Sequence, residues 1–230
     1  MEGKKDRRRT SPSGEERKNF SGEGKKYSAE GKKHAAEGKK PDPFEADIRQ
    51  ACEVMRRGGV ILYPTDTVWG IGCDATNEDA VRRVFEIKRR ADSKSLLLLV
   101  DSDAKVSLYV KEVPTVAWDL IELSEKPLTI IYDHSRNLAA NVVAADGSVG
   151  IRVTREEFSR RLCYRFGKAV VSTSANISGE PTPRVFSEIS PEIVGAVDYV
   201  VGCRRKEKAA AKPSSIIRLN SKSEIQIIRE

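Results

Sequence analysis

Residues 60–72 read VILYPTDTVWGIG. Val60 to Tyr63 have the β-branched and aromatic make-up of a buried strand, and Pro64 ends the run because it carries no amide proton for a ladder. The segment after Pro64 is richer than a plain turn. Thr65, Asp66 and Thr67 bring two hydroxyls and a carboxylate to the strand's end, ahead of Trp69, Gly70 and Gly72. Ligands in open α/β sheets bind beyond strand ends, so the stretch reads as a scaffold strand followed by a binding loop. Gly70 and Gly72 read as backbone freedom that lets the loop fold over a pocket. Asp66 either orients the loop hydroxyls or touches substrate or metal.

Outward from this stretch, strand and helix signals alternate. Upstream, Ile48, Ala51, Cys52 and Met55 fall at helical spacing, and Gly58-Gly59 supplies a C-terminal cap. Downstream, Asn77 caps a helix whose Val81, Val84, Phe85 and Lys88 share one side, and SLLLLV at 95–100 reads as a fully buried strand. A helix over 113–123, strands at 127–132 and 148–153, and a capping box of Thr154 and Glu157 opening a helix to Phe166 come next. AVVST at 169–173 is another apolar strand, with weaker strand signals at DYVV, SIIRL and IQIIR. The alternation predicts an α/β fold: a sheet with helices packed on it.

The chain has 230 residues, room for one good-sized domain and an appendage. No run of about 18 apolar residues occurs, and the N-terminus is charged where a secretory signal would be apolar, so a soluble, cytoplasmic protein without a membrane segment is expected. The net charge of +7 is unevenly placed: residues 1–43 hold 13 Lys and Arg against 8 Asp and Glu, and residues 44–230 hold 28 against 26. That first segment contains the heptapeptides FSGEGKK, YSAEGKK and HAAEGKK at 20–40. Each carries a glycine and one aromatic or His, too little for a coiled-coil seam, so 1–43 reads as a disordered basic tail and 44–230 as the folded domain. The tail's lysine pairs either touch RNA phosphates or simply solubilise the chain. Cys52, Cys73, Cys163 and Cys203 are scattered, which signals buried thiols in place of a zinc site or a disulfide framework. With only His34 and His134, a histidine-based triad has little support.

Several motifs could carry chemistry. GIGCDA at 70–75 matches the dinucleotide fingerprint in letters, yet PTDTVW separates it from its strand and helix signals begin only near Asn77, so a Rossmann site is rejected. KRRADSK at 88–94 offers forked and point-charge donors suited to a polyphosphate, or merely complements a helix dipole. STSANISGEPTP at 172–183 places hydroxyls, an amide and a glycine where an apolar strand ends, and PSSII at 213–217 adds two more hydroxyls beside a strand. Arg152, alone among apolar neighbours in GSVGIRV, is either a carboxylate anchor ringed by these loops or a solvent-face residue.

Taken together, YPTDTVWGIGCDAT, the KRR…KSLLLLV segment, PLTIIY, SVGIRVT, STSANISGEPTP and PSSII resemble the YrdC-like threonylcarbamoyl-AMP synthase family in its single-domain form, in the family's order. The resemblance implies a single twisted mixed β-sheet that makes L-threonylcarbamoyladenylate and pyrophosphate from L-threonine, bicarbonate and ATP with Mg²⁺. The product then serves tRNA modification through downstream threonylcarbamoyl-transfer proteins. It implies a threonine site of Thr67, Arg152, Ser172 and Ser214. It implies ATP contacts from Lys88, Arg90, Lys94, Ser148, Ser174, Asn176, Thr182 and Arg229. No covalent nucleophile is implied. This chain lacks two prolines that the family often has around 91–95, and it reads SEKPLT where WPGPLT is common. The opposing readings are a noncatalytic RNA-binding protein of the same fold and a related adenylating enzyme with another substrate.

Overall fold

The structure, a computed structural model, describes residues 42–90, 96–208 and 213–230. The heptapeptide tail and Lys94 lie outside the described residues.

In chain order the elements are α1 (Glu45–Arg56), β1 (Ile61–Tyr63), β2 (Gly70–Gly72), α2 (Glu78–Ile87), β3 (Leu97–Val100), α3 (Val106–Tyr109), α4 (Val116–Leu123), β4 (Leu128–Tyr132), β5 (Val149–Val153), α5 (Glu157–Phe166), β6 (Val170–Ser174), α6 (Pro191–Ala196), β7 (Tyr199–Val200), β8 (Ser215–Leu219) and β9 (Ile225–Arg229). The strands form one mixed sheet in the order β7-β1-β2-β6-β3-β5-β4-β8-β9. β1/β7, β3/β5 and β4/β8 are parallel, and the other neighbours are antiparallel. β1, β2, β3, β5 and β6 are almost wholly buried, which explains why they read as apolar runs without alternation.

Local chemistry accounts for several helix ends. On α1 the expected stripe Ile48, Ala51, Cys52 and Met55 is buried, and Gly58 takes φ +79° while donating to the Met55 carbonyl at 3.0 Å. On α2 the Asn77 side chain accepts from the Ala80 amide, and Val81, Val84 and Phe85 are buried, each contributing about 1.5–3 kcal/mol. α5 departs from expectation. Its cap is the Glu156 carboxylate, which accepts from the Phe158 and Ser159 amides at 3.0 and 2.8 Å. Thr154 cannot cap because it is buried with its hydroxyl 2.8 Å from Ser159 Oγ. Among the described residues no helix is long and apolar enough to cross a membrane.

The opening stretch is a hairpin. β1 and β2 pair with Tyr63 opposite Gly70 and Ile61 opposite Gly72, leaving 64–69 as the connecting loop. Gly70 and Gly72 are therefore strand residues, and the expected role as loop hinges is corrected. The need at Gly72 is close approach: an added Cβ would lie 2.6 Å from Tyr63 Cε1 and 2.7 Å from the Val171 carbonyl oxygen. A backbone carbonyl cannot rotate away as a flexible side chain would. Gly72→Ala is expected to cost about 1–3 kcal/mol, seen as a lower denaturant midpoint at unchanged slope.

Candidate active site

The loop after β1 is organised by one hydroxyl. Thr65 Oγ1 accepts the Thr67 amide at 3.1 Å, lies 3.1 Å from Thr67 Oγ1, and donates to the Val68 carbonyl at 2.7 Å. Such local side-chain bonds hold a short loop in a single turn. Both threonines are thereby buried at the end of β1, and Asp66 is placed between them.

Arg152 on β5 meets this loop. Its Nη2 donates to Thr67 Oγ1 at 3.3 Å and lies 2.9 Å from Asp66 Oδ1, with side-chain exposures of 3% for the arginine and 12% for the aspartate. The solvent-face alternative for Arg152 is thus overturned, and Asp66 is its counter-ion. Burial pushes the Asp66 carboxyl up from its ordinary value, and the adjacent guanidinium acts in the opposite direction. Arg152 Nε is buried and has no hydrogen-bond partner among the described residues. An unfilled guanidinium donor on this scale is costly unless a ligand fills it.

Strand pairing gathers the remaining groups. Gly70 lies opposite Ser174, Leu97 opposite both Ser172 and Gly150, and Leu99 opposite Arg152, so these positions share one face of the sheet. A side chain larger than hydrogen at residue 70 would meet Ser172 Oγ and the Thr173 carbonyl at 3.3 Å. From the other flank Ser214 Oγ lies 2.9 Å from Thr129 Oγ1, and Arg229 donates from Nε and Nη2 to the Ser214 carbonyl at 3.0 and 2.7 Å. The result is a cavity of about 230 Å³ whose polar lining includes Thr65, Thr67, Arg90, Arg152, Ser172, Ser174, Thr182, Ser214 and Arg229.

Three arginines and a ring of hydroxyls line this cavity, with no carboxylate, cysteine or histidine among the lining residues. Burial lowers Arg90, and burial followed by the charge of Arg152 lowers Arg229. Desolvated like charges converging on one space make a positive field that an anion relieves. The chemistry available is the capture of a carboxylate and of phosphate groups, with hydroxyls to orient them.

All four residues expected at the threonine site line this cavity, as do Arg90, Ser174, Thr182 and Arg229. Lys88, Ser148 and Asn176 do not. Lys88 is 2% exposed and its ammonium donates to the carbonyls of Ser174 and, at 2.7 Å, Asn176. It is a strut beneath the STSAN loop, with its pKa pushed down to about 8, chiefly by burial and then by Arg90. Asn176 donates to the Ile177 and Glu180 carbonyls at 2.9 and 2.8 Å, shaping the same loop. Ser148 gives its hydroxyl and its amide to Asp146 Oδ1 at 2.6 and 3.0 Å. Thr65 and Thr129 were missed. A threonine two residues before another in a post-strand loop was the signal for Thr65; nothing local marks Thr129, whose partner is 85 residues away. Cys52, Cys73 and Cys163 are buried and Cys203 is partly buried, all as free thiols.

Residues 53–230 match the Sua5/YciO/YrdC family, described as telomere recombination, and the chain belongs to that family. Among curated relatives, a Vibrio cholerae serotype O1 protein named threonylcarbamoyl-AMP synthase is 32% identical over 187 residues, which cover 80% of this chain and 97% of that one. The crystal structure of P. abyssi Sua5 complexed with L-threonine superposes with a TM-score of 0.68 at 26% identity, covering 75% of this chain and 50% of that one. This chain therefore spans about half the length of that Sua5. E. coli YciO superposes with a TM-score of 0.71 at 25% identity, covering 83% of this chain and 91% of the other.

The Ser148 contacts carry a pH consequence. Bonds from the Ser148 hydroxyl and amide, aided by Arg218, hold Asp146 at about 2, below its ordinary 3.8. A depressed folded-state value means this stabilisation is complete above pH 3.8 and is lost as pH falls toward about 2. Asp146→Asn should flatten the acid limb of the stability–pH curve in that window, measured by urea unfolding at pH 2–5, and leave its shape unchanged above it.

Proposed function

We propose that the protein is an L-threonylcarbamoyladenylate synthase, joining L-threonine, bicarbonate and ATP to give threonylcarbamoyl-AMP and pyrophosphate, with residues 44–230 as the catalytic domain. The observation that carries the reading is Arg152: a buried guanidinium with an unfilled Nε donor, on the wall of a cavity that holds two further arginines and many hydroxyls. A free amino acid presents a carboxylate to that donor, and Thr67, Ser172 and Ser214 lie beside it to meet the amine and the hydroxyl. Arg90, Arg229, Ser174 and Thr182 remain for the nucleotide. Lys94 stays a nucleotide candidate from the family resemblance alone. The relatives' name and the threonine-bound Sua5 support this assignment.

In the reaction the threonine amine attacks bicarbonate carbon and water leaves, giving a carbamate. A carbamate oxygen then attacks the α-phosphorus, and the bond to the β-phosphate oxygen breaks to release pyrophosphate. Neither step needs a protein nucleophile, and holding two anions in contact is the work the arginines perform. Among the described residues no cluster of His, Cys, Asp or Glu could hold a metal ion. Mg²⁺ belongs to the proposal as a companion of ATP, bound through its phosphates. Delivery of the product to tRNA-modifying transfer proteins, in the cytoplasm, completes the reading.

A second reading, RNA binding without turnover, draws on a separate cleft of about 660 Å³ whose charged lining is Arg184, Arg205, Lys206 and Lys208 together with Glu188 and Glu207. Pyrophosphate assays separate the two. Release of pyrophosphate from ATP equimolar with product, only when threonine and bicarbonate are both present, is the expected result; absence of turnover would refute the synthase. Arg152→Ala should raise the threonine requirement about 10- to 100-fold, the worth of a charge-assisted contact, with little change in the ATP requirement. Equal changes for both substrates would reassign Arg152.

A further inference from the structure

We propose that Arg204 is a positioning residue for the threonine-binding loop and that segment 201–208 is the brace carrying it. The inference rests on the threonine-site reading above, but on residues outside every motif that led to that reading.

Arg204 adopts φ +60°, the left-handed region that a branched or long side chain rarely occupies. Such a conformation costs about 1–3 kcal/mol and persists only where surrounding contacts over-determine it. Here they do. Arg204 Nη1 donates to the Thr65 carbonyl at 3.2 Å and lies 3.0 Å from Glu156 Oε1, and Nε donates to Glu207 Oε1 and Oε2 at 2.8 and 2.9 Å. Glu156 is itself fixed as the cap of α5. One guanidinium therefore ties the backbone of the binding loop to the start of a core helix.

The brace is anchored at its other end. The Asp47 carboxylate on α1 accepts the Gly202 and Cys203 amides at 2.9 and 2.8 Å and the Tyr199 hydroxyl at 2.5 Å. Any side chain at residue 202 would press on that carboxylate, 3.3 Å from an ideal Cβ. Asp47 itself precedes the 53–230 stretch that matches the family, and its partners Tyr199, Gly202 and Cys203 lie within it. Behind the loop lies a small, partly open pocket of about 30 Å³, lined by Pro64, Thr65, Thr67, Arg184, Arg204 and Glu207 among others. The loop could relax into that space, and the Arg204 bond to Thr65 opposes it. Thr65 in turn holds Thr67, and Thr67 accepts from Arg152. The brace thus sets the geometry of the carboxylate anchor through two residues and without touching the ligand.

The test uses the full chain and its variants R204A, R204K and D47N, titrated by calorimetry with L-threonine and, separately, with α,β-methylene-ATP. Thermal unfolding is recorded in parallel. R204A is expected to weaken threonine about 10-fold, equivalent to about 1.4 kcal/mol, with the nucleotide analogue within about twofold of wild type. R204K keeps the charge but not the fork, and should fall between; D47N should shift threonine in the same direction from the far end of the brace. Unchanged threonine affinity in R204A overturns the inference. So does a parallel loss for both ligands tracking the fall in melting temperature, the mark of a merely structural role. Should R204A fail to fold, R204K decides alone: a selective loss for threonine supports the brace, and none overturns it. Failure of the wild-type chain to bind threonine would instead sink the proposed function, and this inference with it.

Discussion

Arg152 sits at 3% side-chain exposure on a central strand, and a guanidinium brings a positive charge to that depth. An uncompensated charge at such depth costs several kcal/mol, so β5 can carry it only if another element brings a counter-charge to the same place. That element is the loop of the β1–β2 hairpin, which delivers Asp66 and the Thr67 hydroxyl. The hairpin reaches Arg152 because β2 lies against β6 and β6 against β3. β2 can lie so close because Gly72 leaves room for the Tyr63 ring and the Val171 carbonyl. The order of strands, the tight glycine packing and the loop's internal bonds all serve the solvation of one guanidinium while leaving its Nε open.

The neutralisation is local and incomplete. Asp66 and Thr67 both engage Nη2, and Arg90 and Arg229 bring two further guanidinium groups to the cavity wall. Basic residues that are neighbours in sequence divide into two roles. Arg90 joins the wall, and Lys88, two residues earlier, turns beneath the STSAN loop and holds two of its carbonyls. One contributes to the cavity wall itself and the other to the shape of the loop above it.

Much of this was legible because it depends on short-range rules. The α1 stripe, the Asn77 cap and the buried strands depend on spacing and on hydrogen bonds within a few residues, and they lie where the periodicity places them. The hydroxyl-rich loops were visible as polar chemistry directly after apolar strands, and Arg152 as a lone charge among apolar neighbours. Readings that failed turned on what spacing does not show, a neighbouring strand in one case and burial in another. Gly70 and Gly72 resemble a loop until β6 is laid beside them. Thr154 resembles a helix cap until burial occupies its hydroxyl.

By itself the sequence determined the elements, the loop chemistry and the family, since hydrophobic period, capping and motif order are written in neighbouring residues. Only the tertiary structure decided which of those groups face one cavity. Strand order brings Thr67, Arg152, Ser172 and Ser214 together across as many as 147 positions of chain, and no local pattern encodes that order. It also decided that Asp66 is a counter-ion, that Lys88 is a strut, and that Arg204 supports the loop from behind. Each role depends on the burial of a charge and the distance to its partner, and both exist only once the sheet has formed.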